Sequence, residues 1–235
     1  MNPYLLLWLE GPLQSWGHDS RFGRRETLPF PTKSGVMGIL CAALGAGGEQ
    51  TSLLEEFADL DMQVYAYGRR NTKGEAAPRE PQLRDFHMVG SGYDDTDLWQ
   101  SLLIPKTSEG KKAVGGGAKM TFRYYLQDCT FAVLFQIPAG QCDAVAHALQ
   151  HPVWTLYLGR KNCIPTELIF QGVYQTSEQA KESAEKLAQA KQKCLAYTIT
   201  QGTGHGEIIT VNDVPIQFGA QKRYRDRQVT ILAED

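Results

Sequence analysis

Paired cysteines are missing from this sequence. Its five cysteines, Cys41, Cys129, Cys142, Cys163 and Cys194, are odd in number and widely spaced, with no CxxC pair and no histidine at zinc-ligand spacing. That pattern argues against a disulfide framework and against a zinc site, and reduced thiols are expected. Long apolar runs are missing too: nothing approaches the roughly 20 residues that a membrane span requires. The opening MNPYLLLWLEGP has neither a basic n-region nor a small-residue cleavage site, so it reads as mature cytoplasmic sequence. An excess of one charge is also absent. A formal net charge of -2 excludes a protein that coats nucleic acid by bulk charge, while leaving room for local patches. PTKSG, residues 31–35, lacks the glycine-rich P-loop spacing, so nucleotide hydrolysis is not supported. No Ser, His and Asp grouping and no paired-carboxylate signature stands out either.

What is present is enough apolar residue, 42% of 235, to bury one large core or two small ones. The cations are clustered. Residues 21–33 carry Arg21, Arg24, Arg25 and Lys33 against Glu26, and residues 222–227 carry Lys222, Arg223, Arg225 and Arg227 against Asp226. Between them lie Lys106, Lys111, Lys112, Lys119 and Arg123, with Glu109 the single acid from 104 to 123. One such run is an ordinary solvated surface; three with aromatics interleaved point to a polyanion.

Periodicity predicts a buried strand at 3–9, a helix at 33–44 capped by Thr32, a strand at 62–67, a strand at 124–137 and a helix at 139–149. Residues 71–120 are rich in Gly, Pro and charge without sustained period, too long for a passive connection, and are expected to form an extended arm. The order approximates a ferredoxin-like βαββαβ unit with one hairpin lengthened, an α+β fold, although one strand is not visible. An exposed helix is expected at 177–193. Strands are expected at 195–200, 207–211, 214–218 and 228–232, with a turn at Asn212 and Asp213. This divides the chain into a core at 1–172 and a small β-rich part at 173–235.

Four stretches carry candidate chemistry. In residues 11–34 Trp16 offers a flat face for a base or plugs the sheet. Arg21, Arg24, Arg25 and Lys33 can meet phosphates, and Lys33 and Ser34 stand at a helix N-terminus that favours an anion. In QLRDFHMVG Arg84 is a phosphate ligand candidate, and His87 is a general base, a donor to phosphate or carbonyl, or a structural residue. Arg123 and Tyr124 mark where the arm rejoins the core. Arg160 and Lys161 project from a Gly-started turn.

The blocks GPLQSWG, FPTKSGVMGIL, LRDFHMV and YLGRKNC, in this order and spacing, resemble the CasD-type subunits of Cascade, the type I-E CRISPR surveillance complex. These belong to the Cas-five family of the repeat-associated mysterious protein (RAMP) superfamily. The resemblance implies an RRM-like core with a thumb, and a non-catalytic RNA-binding role in antiviral defence. Such a subunit holds the 5′ handle of CRISPR RNA in a ribonucleoprotein complex and caps a filament of CasC backbone subunits. It neighbours the CasA large subunit and meets target DNA only through the assembled complex. It implies no metal or nucleotide cofactor and no membrane partner. It also casts Gln14 as a polar edge for reading a base. The competing class is a metal-independent CRISPR repeat endoribonuclease, as in type I-C relatives, with His87, Lys119 and Tyr124 as its candidate groups.

Overall fold

Strand β1, Tyr4–Gln14, is apolar on both faces because it is covered on both. Leu5, Leu7 and Leu9 join one buried cluster and Leu6 and Trp8 another, on the opposite face of the same sheet. The computed structural model describes residues 2–18, 20, 23–89, 96–99, 106–107, 109–111 and 119–233. β1 runs past the stop expected at Gly11 and Pro12. β8 pairs only with Tyr4–Leu7, so Pro12 lies beyond that pairing, where its missing N–H costs no ladder bond on that side.

Short strands β2 (Trp16–Gly17), β3 (Arg24–Arg25) and β4 (Thr27–Leu28) shape the basic loop. Helix α1, Lys33–Leu44, begins at Thr32, whose side chain accepts from Gly35 N, and ends at Gly45 with φ 68°. Both ends are where the cap residues predict them. Helix α2, Thr51–Ala58, was not expected; its eight residues are held by Leu54 and Phe57, the latter 5.6 Å from the Phe135 ring. β5 (Met62–Arg69), β6 (Leu83–Val89) and β7 (Lys119–Gln136) follow.

β6 corrects the expectation that residues 71–120 lack strand structure: it pairs with 119–125 of β7 as a long hairpin. The arm segment 108–118 lies outside the described residues apart from 109–111. β7 spans 18 residues without a break, although Asp128 within it has φ 47°.

Helix α3, Cys142–Gln150, follows a 3-10 turn at Ala139–Gln141. β8, Phe170–Tyr174, is the strand that the sequence did not reveal; all five of its residues are half-buried, so it shows no alternation. Helix α4, Ser177–Ala190, lays Ala180, Ala184 and Ala188 against Leu6, Trp8, Tyr65 and Tyr67. Its stripe is of small residues because the sheet supplies the bulk. Burial pushes the Tyr65 phenol up to about 12 there.

β9 (Lys193–Gln201), β10 (Glu207–Gln217) and β11 (Arg223–Ala233) complete the chain. The turn expected at Asn212 and Asp213 is instead a register shift within β10 that leaves Asp213 buried.

The sheet order among the described residues is β10-β11-β9-β5-β7-β1-β8. Its β5-β7-β1-β8 portion, with α1 and α3 on one face, is the ferredoxin-like unit, its second and third strands separated by the arm. The expected boundary after residue 172 falls inside β8, and β9 pairs directly with β5.

Candidate nucleic-acid interface

The basic loop is folded onto the sheet by its own polar groups. Gln14 is fully buried: its amide donates to Leu9 O at 3.1 Å and Cys129 O at 2.8 Å, and its oxygen accepts from Trp16 Nε1 at 3.1 Å. Trp16 is fully buried too, packed so closely on α1 that a Cβ at Gly35 would lie 2.7 Å from its ring. The expectation for Gln14 needs correcting, since it has no free edge for a base, and of the two readings of Trp16 its burial favours the plug over the stacking platform.

Lys33 is likewise interior. Its Nζ donates to Ala58 O at 2.8 Å and Leu60 O at 2.6 Å and lies 5.6 Å from the Phe135 ring centre. Burial, and then the nearby Arg227, lower its pKa to about 8. The anion at the α1 N-terminus is supplied by the protein: Asp213 accepts from Lys33 N at 2.7 Å and from Arg227 Nε and Nη2 at 2.7 and 3.0 Å. A phosphate on that N–H would have to displace a buried carboxylate.

Arg160 works internally as well. Its guanidinium donates to Tyr124 O at 3.2 Å and Arg25 O at 2.9 Å and covers the Tyr125 ring at 4.7 Å, stitching the basic loop to β7. The turn that carries it requires Gly159, with φ 93° and a Cβ position 1.8 Å from Ser15 O.

Several of the candidate cations lie along β7 or on the strands paired with it. β3 pairs in parallel with β7, Arg24 opposite Phe122 and Arg25 opposite Arg123. Arg24 is exposed, 5.4 Å from the Tyr124 ring centre, donating to Tyr124 Oη at 3.1 Å and pairing with Glu26 at 2.8 Å. Arg84 lies over Phe122 at 5.6 Å, and Phe122 contacts Phe86 with ring centres 5.2 Å apart. Strand register sets Arg84, Phe86, Met88, Met120, Phe122 and Tyr124 on one face of the hairpin. Arg25 and Arg123 are half-buried, and Lys161 is exposed. Arg21 lies outside the described residues.

His87 belongs to the other face, its Nε2 2.5 Å from Asp85 Oδ2. It therefore does not converge with Tyr124, and the side chain of Lys119 lies outside the described residues. The arrangement does not gather His87 and Tyr124 on one phosphate.

Next to this face runs a groove of about 560 Å³ that sequence reasoning did not identify as a unit. Its floor is the outward side of α1, where Ser34, Gly38 and Ala42 recur at four-residue spacing, as positions on one helix face do. One wall holds Trp154 and Tyr157; Val153 N and Trp154 N donate to Ala43 O and Ala42 O, tying that loop to the end of α1. The other wall holds Phe218, Lys222 and Tyr224, with Phe218 N donating to Glu49 O. Burial raises the Tyr224 phenol pKa. Of the cations at 222–227 only Lys222 lines the groove: Arg223 bonds Gln217, Arg225 pairs with Asp59, and Arg227 is buried on Asp213. Ser15 also lines the groove, and its hydroxyl donates to the backbone oxygen of Tyr124 on β7. Small residues at 34, 38 and 42 were the signal available in the sequence.

Residues 4–230 match the family described as CRISPR-associated protein (Cas_Cas5). The chain belongs to that Cas5 family. It is 28% identical over 232 residues to the CRISPR system Cascade subunit CasD of Escherichia coli (strain K12), covering 95% of this chain and 96% of the relative. A solved chain from a CRISPR RNA-guided surveillance complex superposes on this family member with a TM-score of 0.69, at 27% identity, covering 98% of this chain and 89% of that one. A crystal structure of a Cas protein gives 0.59 at 26% identity, covering 98% and 94%. No helix among the described residues of the Cas5-family chain is long and apolar enough to cross a membrane.

Proposed function

We propose that this chain is the CRISPR RNA-binding subunit of a Cascade-type surveillance complex, and that the groove along α1 holds the 5′ handle of that RNA without cutting it. The observation that carries the reading is the bare floor of Ser34, Gly38 and Ala42 between aromatic walls, with Lys222 at its rim. A helix face without bulk lets a sugar-phosphate chain approach closely, while Trp154, Tyr157 and Tyr224 offer faces for unstacked bases. Each stacked base contributes roughly 1 to 3 kcal/mol. Beyond the groove, Arg24, Arg25, Arg84, Arg123 and Lys161 carry the phosphates onward along the arm, with Tyr124 and Phe122 as platforms. Likeness to a Cascade subunit and to a chain of an RNA-guided surveillance complex supports this reading.

On the same reading the complex is of type I-E and cytoplasmic, the chain caps CasC-type backbone subunits and adjoins a CasA-type large subunit, and target DNA is met only in the assembled complex. The role needs no metal or nucleotide.

Gly38→Leu tests the groove directly. A Cβ at Gly38 meets nothing within 4 Å, so the substitution fills the groove without crowding the core. Replacing a helical glycine also favours the helix by up to about 1 kcal/mol. The RNA that copurifies with the complex is sequenced, and a labelled oligonucleotide of its 5′ end is titrated against the wild type and the variant. The expected result is an unchanged or higher melting temperature with affinity weakened about tenfold or more, the loss of one stacked base. Unchanged affinity would remove the groove from the RNA path.

A further inference from the structure

The groove lies on the α1 side of the sheet. On the α4 side is a second concavity, of about 1050 Å³, at the C-terminal end of α4. Register explains the cluster: Arg69 shares the face of Tyr65 and Tyr67 on β5, and Glu10 that of Leu6 and Trp8 on β1. Lys191 caps the end of α4 and Lys193 opens β9.

We infer that this concavity binds the phosphodiester backbone of a nucleic-acid strand, as a second site separate from the groove. Four cations line it, Arg69, Arg70, Lys191 and Lys193, against the single carboxylate of Glu10. Lys191 and Lys193 share Glu10, at 3.4 and 3.1 Å, and Lys191 also meets Glu167 at 2.5 Å. The arginines are far less neutralised. Arg69 makes only a 3.3 Å contact with Asp128, both side chains more than half exposed, and Arg70 Nε has the Cys194 thiol at 3.3 Å. An exposed pair of that kind is worth about 0 to 1 kcal/mol, so the charge of Arg69 remains available to a ligand.

The neutral part of the lining is made of the amides Asn71, Gln189 and Gln192, with no aromatic or aliphatic side chain. Peptide-binding surfaces anchor on buried apolar or aromatic side chains. A phosphodiester chain needs only cations and hydrogen-bond donors, which is what this site offers. Gln192, the left-handed residue (φ 55°) that follows the C-cap of α4, contributes one of these amides. The size, far beyond a single ion, suits several consecutive nucleotides.

The test uses the full-length chain and fluorescence anisotropy with three labelled probes of one sequence: single-stranded DNA, single-stranded RNA and duplex DNA. Arg69→Ala/Arg70→Ala removes the two cations that support no buried group. With two fewer phosphates neutralised, the slope of log affinity against log salt should fall by about 1.4 for single strands and about 1.8 for the duplex. Between 50 and 200 mM salt that removes about a sevenfold and about a twelvefold change in affinity, respectively. The probe whose slope falls identifies the strand. Gly38→Leu, which alters only the groove, should leave this difference between wild type and double variant intact, so failure of either site is seen separately. Equal slopes for wild type and double variant with all three probes, at unchanged melting temperature, would overturn the proposal. So would displacement of the bound probe by polyglutamate at lower charge concentration than by unlabelled nucleic acid. Arg70→Gln is measured alongside as the milder change, and is expected to give half the slope difference.

Discussion

Replacing Asp213 by alanine removes the carboxylate that joins the start of α1 to β10 and β11. In the structure the Asp213 side chain is 4% exposed and accepts from Lys33 N and twice from Arg227, whose side chain is 6% exposed. The variant leaves a buried guanidinium without its counter-ion, a loss of about 3 to 5 kcal/mol. It also leaves a helix N-terminal N–H without an acceptor, which costs about 1 kcal/mol more. For a chain of this size each kcal/mol moves the melting temperature by about 2 to 4 °C, so the ion-pair loss alone predicts a fall of roughly 6 to 20 °C. Thermal unfolding followed by circular dichroism reads it. A second variant, Asp213→Leu with Arg227→Met, replaces both charges by apolar groups and should recover most of the loss, because the desolvation cost of the pair disappears with it. A single variant melting within about 2 °C of the wild type would refute the reasoning. So would a double variant no more stable than the single one, since the damage would then not come from the orphaned charge.

Two further outcomes are expected. Lys33 has its pKa lowered from 10.5 to about 8, so between those values the unfolded chain binds more protons and stability rises with pH. Measured against Lys33→Met, which has no such group, the wild type should gain on the order of 1 kcal/mol per pH unit from pH 8 to 10, its neutral amine still donating to Ala58 O and Leu60 O; a flat difference would show that Lys33 does not titrate there. Incubation of the purified chain with its repeat RNA in EDTA should leave the RNA intact, and specific cleavage abolished by His87→Ala would reinstate the endoribonuclease reading.

Local signals were legible. Thr32 and Gly45 mark the ends of α1 because caps are short-range chemistry, and the strands of the ferredoxin-like unit were visible wherever a face was fully buried. β8 was not, since five half-buried residues have no period to read. The site was harder for a different reason. Gln14, Trp16 and Lys33 are polar or aromatic residues in a basic loop and look like ligands until their partners are known, and one partner of Lys33, Asp213, is 180 positions away. The groove itself is assembled from α1, the 154–157 loop and the 218–224 turn, so no single stretch announces it. Surface cations such as Arg24 and Arg84 could be named in advance because their contacts with Tyr124 and Phe122 leave them at the surface.

The length of β7 has a mechanical consequence. A strand of 18 residues extends about 60 Å, and here one unbroken chain is both the inner edge of the arm and the rib between β1 and β5. Along it only Asp128 has a positive φ, 47°. The arm is thus a cantilever clamped in the middle of the sheet, not a flap on a loop. Force applied at its outer end loads the ladder bonds to β1 and β5 in shear, many at once, instead of swinging about a hinge. β1 pairs with β7 on both sides of Asp128, so a structure built against that arm inherits its direction from the sheet.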